Sequence, residues 1–66
     1  MKKVGFIGLG KMGSGMCRRL IENGYELAIF DLDPNAMKRF EGSAILMESP
    51  LEVFTKSDAT FLSLPS

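Results

Sequence analysis

The run Val4-Gly5-Phe6-Ile7-Gly8-Leu9-Gly10-Lys11-Met12-Gly13 decides how the rest of the chain is read. An apolar segment ends in three glycines spaced G-x-G-x-x-G, and a helical pattern opens at the last of them. A helix N-terminus leaves backbone N–H groups without intrahelical partners and carries a partial positive charge, so it attracts an anion. Glycine removes the Cβ that would hold an anion away from that backbone. Glycine-rich turns are common, so the weight of this one comes from its surroundings.

Upstream, residues 3–8 read as a strand that is apolar on both faces, as a central parallel strand is. Gly5 inside it marks a tight packing contact. Downstream, a helix is expected from residue 11 or 12 to residue 23. Met12, Met16, Leu20 and Ile21 form its apolar stripe and are assigned to the core, with Arg18, Arg19, Glu22 and Asn23 opposite. Gly24 stands at the C′ position. Gly15 is unfavourable in a helix and is read as room for a neighbouring segment or a ligand.

Residues 25–31 read as a second strand that ends on a carboxylate, Asp31. Asp33 then caps a second helix with Pro34 at its first position, Ala36, Met37 and Phe40 inward and Gly42 at its close. A short third strand is expected over 44–47. Ser49-Pro50-Leu51-Glu52 has the form of a capping box and opens a helix through about Thr55. A fourth strand follows over 59–64. Strands alternating with helices call for βαβ units and a parallel sheet. Right-handed crossovers give an α/β, Rossmann-type doubly wound sheet, truncated after four strands in the order 3-2-1-4. Ligands of such sheets bind at the carboxyl ends of the strands, beside the switch point between strands one and four. Gly8 to Gly13, Asp31 and Leu64-Pro65 all fall there. Such a sheet also has one thinly covered face and open strand edges.

The glycine spacing now has a strand before it, a helix after it and an acid 18 residues past Gly13. This is the context of a pyrophosphate loop. Gly8 makes the tight turn, Gly10 admits the phosphates and Gly13 lets helix and sheet pack closely. Asp31 can bond the adenine ribose hydroxyls. Its charge repels a 2′-phosphate, and Leu32 stands where an arginine would favour one, so NAD is expected over NADP. Lys11 either touches phosphate or is solvated. Ser14 either donates to a phosphate oxygen or is an exposed first-turn residue.

Composition narrows the other possibilities. The 66 residues hold eight basic and eight acidic side chains, which argues against nucleic acid or an anionic membrane as a partner. There is no histidine, no acid–base pair, no activated nucleophile and no metal cluster, so no catalytic residue is assigned. The single cysteine, Cys17, is read as a buried packing thiol and fits a reducing compartment. Lys2 and Lys3 precede no long apolar run, so neither a signal peptide nor a membrane span is expected, and the location predicted is cytoplasmic.

Gly5-Phe6-Ile7-Gly8-Leu9-Gly10-Lys11-Met12-Gly13-Ser14-Gly15-Met16 resembles the N-terminal signature of the β-hydroxyacid dehydrogenases. That family includes the 3-hydroxyisobutyrate, tartronate semialdehyde and 6-phosphogluconate dehydrogenases. Phe30-Asp31-Leu32-Asp33-Pro34, Ser49-Pro50-Leu51-Glu52-Val53 and the segment from Ser57 to Pro65 follow its pattern in order, with the greatest likeness to the 3-hydroxyisobutyrate branch. Ser43 and Gly15 depart from the usual residues. By resemblance, Leu9 to Gly13 (Leu9, Gly10, Lys11, Met12, Gly13) hold the pyrophosphate, Asp31 the ribose, and Leu64 and Pro65 border the nicotinamide half. The resemblance implies NAD as cofactor, a small 3-hydroxyacid as substrate of the whole enzyme, and a homo-oligomer. It also implies that residues 1–66 are the N-terminal portion of the dinucleotide-binding domain, without the family's Ser-Gly-Gly substrate loop, its acid/base lysine or its helical second domain. Two other readings are a non-catalytic nucleotide-binding module and an NADP-dependent tartronate semialdehyde or glyoxylate-type reductase.

Overall fold

Alternating apolar runs and helical patterns become alternating strands and helices in the computed structural model, which describes residues 2–63. The order is β1 (Lys3–Ile7), α1 (Gly10–Glu22), β2 (Glu26–Phe30), α2 (Pro34–Lys38), β3 (Ile45–Leu46), α3 (Pro50–Thr55) and β4 (Ala59–Leu62). The strands form one parallel sheet in the order β3-β2-β1-β4, as the crossover rule predicts. In the register, Gly5 lies between Ala28 and Thr60. At the amino end of β1 a reciprocal pair ties the sheet to the loop before β4. The Lys3 N–H donates to Asp58 Oδ2 at 2.9 Å and the Asp58 N–H donates to the Lys3 carbonyl at 2.8 Å.

Side-chain alternation along the strands sorts the core into two layers. Val4, Phe6, Leu27 and Ile29 face α1 and α2 and pack with Leu9, Cys17 and Phe40. Ala28 faces α3 with Met47 and Val53, flanked by Ile7 and Phe30. Phe6 also stacks on Phe61 of β4, ring centroids 5.3 Å apart. On the α3 side the packing is close because β1 carries glycine there. A Cβ on Gly5 would come 2.6 Å from Val53 Cγ1 and overlap Ser57 Oγ. The tight contact expected at Gly5 is therefore with side chains of α3 and the residue just past it.

Two helices start as their cap residues dictate. Asp33 accepts the Asn35 N–H at 2.9 Å, with Pro34 at the first position of α2. Ser49 accepts the Glu52 N–H at 3.2 Å. The return bond of the capping box is displaced by one residue, since Glu52 Oε1 accepts the N–H of Glu48 at 2.9 Å.

The inward stripe of α1 differs from the one expected. Met12 is 81% exposed and Met16 45% exposed, so neither is core. Gly13 and Cys17 face the sheet instead, with Leu20 and Ile21 partly buried. A Cβ on Gly13 would lie 3.0 Å from the Gly8 carbonyl, so the helix approaches the end of β1 through its smallest residue. Met12 and Met16 each precede a buried position by one residue, which turns them about 100° off the contact face. Gly15 faces open space with no described segment near it, so it makes room for none of them. Leu51 and Phe54 of α3 and Phe61 and Leu62 of the edge strand β4 are exposed.

Two predictions follow from this packing. Gly5→Ala should cost about 1–3 kcal/mol by overpacking, whereas Gly15→Ala should add about 1 kcal/mol through helix propensity, both read by thermal denaturation. Burial pushes the Cys17 thiol up from 9.0 to about 11. The folded state therefore disfavours the thiolate, and stability present below pH 9 should fall as pH rises from about 9 to about 11. Cys17→Ala should flatten that decline in urea titrations at stepped pH.

Candidate functional site

The carboxyl ends of β1 and β2 are where the chain departs from regular pairing. Gly8 leaves β1 at φ +86°, a conformation that L side chains rarely adopt, and its N–H donates to the Phe30 carbonyl at 2.9 Å. A Cβ there would strike the Ser63 carbonyl, so the turn is closed from the β4 side as well. Gly10 follows at φ +48°, and a Cβ on it would meet nothing within 4 Å. The glycine loop thus presses against protein at Gly8 and Gly13 and stays open at Gly10.

Helix α1 begins in this loop without the device that starts the other two. Leu9 occupies its N-cap position and makes no side-chain capping bond, and no acidic residue lies in the first turn. An anion is the complement such a terminus favours.

Asp31 joins the loop to β2. Its Oδ2 accepts the Leu9 N–H at 2.6 Å, and its Oδ1 accepts the Asp33 N–H at 2.8 Å. Both bonds are charge-assisted, and they aim the carboxylate along the base of the loop. A carboxylate has about four lone-pair positions, so acceptor capacity remains for hydroxyl donors.

These segments surround a cavity of about 670 Å³, within the usual size of a small-molecule site. Gly8, Gly10, Lys11 and Asp31 line it, as the spacing predicts, together with Ser14. Leu9, Met12 and Gly13 do not. The Leu9 side chain is fully buried in the core while its N–H serves Asp31. Met12 points to solvent, and Gly13 is the packing spacer behind the loop. Leu64 and Pro65 lie outside the described residues, but Ser63, just before them, is part of the lining.

Three further residues complete the rim, and of these Arg39 was not named from the sequence and Ala36 was named only as a core residue. Leu32, 91% exposed, stands beside Asp31, and Ala36 and Arg39 reach the cavity from α2 and its C-cap. Their signal was helical spacing, since Ala36 and Arg39 are three apart and share a face with the Asp33 cap.

Residues 3–66 match the family described as the NAD binding domain of 6-phosphogluconate dehydrogenase. The chain belongs to that family. Within it, the chain is 44% identical over 64 residues to the mitochondrial 3-hydroxyisobutyrate dehydrogenase of Rattus norvegicus, and 42% identical to that of Homo sapiens. Each match covers 96% of this chain and 19% of the relative, so the chain spans about a fifth of the length of these curated relatives. Among solved structures, the 3-hydroxyisobutyrate dehydrogenase of Mycobacterium tuberculosis superposes with a TM-score of 0.88 at 29% identity, over 98% of this chain and 23% of that one. An imine reductase from Pseudomonas sp. superposes at 0.87 with 26% identity, over 92% and 22%. The β-hydroxyacid dehydrogenase resemblance read from the glycine loop is thus shown, and so is the Rossmann-type sheet.

Asp31→Ala should strand two backbone N–H groups at the loop. The expected cost is about 1–3 kcal/mol in urea denaturation of the nucleotide-free protein. An unchanged midpoint would show that water replaces the carboxylate freely.

Proposed function

We propose that this chain is the cofactor-holding part of an NAD-dependent dehydrogenase acting on a small 3-hydroxyacid, and that residues 1–66 form the N-terminal portion of its dinucleotide-binding domain. The observation that carries the reading is the uncapped N-terminus of α1 opening, through Gly10, onto the same cavity as Asp31. A pyrophosphate at the start of α1 meets backbone N–H groups and the positive end of the helix. The adenosine ribose, extending toward β2, meets the remaining lone pairs of Asp31. Lys11 and Ser14 stand within the same lining and can donate to phosphate oxygens.

When bound, the nicotinamide supplies the hydride chemistry, and this part of the protein binds and orients it. No residue here is assigned a proton-transfer role. The 3-hydroxyacid substrate is supported by relatives named as 3-hydroxyisobutyrate dehydrogenases, and a homo-oligomeric assembly is part of the same proposal. The apolar residues left exposed on α3 and β4 are consistent with further protein packing there.

Titration calorimetry with NAD and NADP tests the reading. Saturable binding of NAD is expected, with NADP weaker. Gly10→Ala, whose Cβ enters the open side of the loop, should weaken NAD by about tenfold or more. Clear preference for NADP would overturn the role given to Asp31, and absence of binding to either would overturn the site.

A further inference from the structure

The tie between β1 and β2 runs past the end of their paired residues. Ile7 and Phe30 are the last in register. One residue on, the Gly8 N–H donates to the Phe30 carbonyl at 2.9 Å, and the next N–H, that of Leu9, donates to Asp31 Oδ2 at 2.6 Å. The Asp31 side chain thus adds a rung that the backbone of β2 does not supply. Leu9 is anchored twice, because its own side chain is fully buried in the core. Gly10 follows at φ +48° with open space around it, so the direction in which the chain enters α1 is set at Leu9.

We propose that Asp31 is a positioning residue for the pyrophosphate as well as a partner of the adenosine ribose. Through the Leu9 N–H it holds the first-turn amides of α1 where the phosphates bind. The inference rests on the dinucleotide reading above and gives the same carboxylate a second task. Two observations support it. First, Leu9 is the N-cap residue of α1 and makes no side-chain capping bond, so the bond to Asp31 is what fixes the helix start against β2. Second, the carboxylate is itself held. Its Oδ1 accepts the Asp33 N–H at 2.8 Å, and Asp33 caps α2. The clamp therefore reaches from the start of α2 to the start of α1, while lone pairs on both oxygens stay free for ribose hydroxyls. A carboxylate this close to a phosphate site also repels the ligand. Charge and position thus predict opposite signs for its loss, which separates the two roles.

Asp31→Asn keeps the shape of the side chain but removes its charge and one acceptor, so one of the two backbone N–H groups faces an amide NH₂. The test is calorimetric titration of inorganic pyrophosphate, which has no ribose, into the full chain and this variant, with thermal melts to verify folding. Asp31→Asn should weaken pyrophosphate by about fivefold or more. Unchanged or tighter binding by the folded variant would overturn the proposal and leave Asp31 with the ribose alone. A second titration needs no variant. Pyrophosphate is titrated into the wild type with and without saturating adenosine, a neutral ribonucleoside whose hydroxyls engage the same carboxylate. Ligands that order one shared element favour each other, so adenosine should tighten pyrophosphate by about threefold or more. Independent binding of the two would overturn the shared clamp. A wild type that binds NAD but shows neither effect loses this inference and keeps the dinucleotide reading. One that binds neither NAD nor pyrophosphate loses both.

Discussion

One carboxylate holds the glycine loop to the neighbouring strand, and the geometry of the cavity depends on it. Asp31 closes β2 and accepts the N–H of Leu9, the residue between the two glycines that turn the chain from β1 into α1. Without that bond, a loop built of Gly8 and Gly10 would have wide backbone freedom. With it, the start of α1 is held against the end of β2. The same group takes the Asp33 N–H and so fixes the start of α2, whose cap is Asp33 itself. Two of the helices that wall the cavity, α1 and α2, are therefore referenced to a single side chain. A site preorganised in this way spends less of its binding energy on ordering the loop.

Close packing supplies the second constraint. Gly8 turns beneath the Ser63 carbonyl, Gly13 sits over the Gly8 carbonyl, and Gly5 lies against Val53 and Ser57. In each case a side chain would displace backbone or a core neighbour. The three contacts draw α1, α3 and the end of β4 onto β1, the strand at the centre of the sheet order. Gly10 alone among the loop glycines faces open space, and the cavity opens on its side. Glycines in one short stretch thus do two different jobs, closing the fold at three positions and leaving room at one.

Much of this was legible in the sequence. Strand order followed from alternation and handedness, and Asp33 and Ser49 announced their caps by spacing. The converging segments at Gly8, Gly10, Lys11 and Asp31 were placed together by topology alone. The α1 stripe was not, because hydrophobic periodicity ranks long apolar side chains as inward. Here the distance between helix and sheet is set by Gly13, which leaves Cys17 on the inner face and turns Met12 and Met16 out. The partner of Asp31 was also hidden, since a bond from a side chain to a loop N–H leaves no periodic mark. Arg39 was overlooked because it stands at the end of α2, eight residues past Asp31, and reaches the cavity lining only through the fold.

The central claim is that a pyrophosphate is held by the start of α1 while Asp31 holds the loop in shape. Amide NMR of the full chain during titration with NAD tests it most directly. The account predicts that the largest shifts fall on the amides of Gly10, Lys11, Met12 and Gly13, with a smaller change at Leu9, whose N–H stays on Asp31. Shifts concentrated on α3 or the β4 edge, with the glycine-loop amides unmoved, would contradict it.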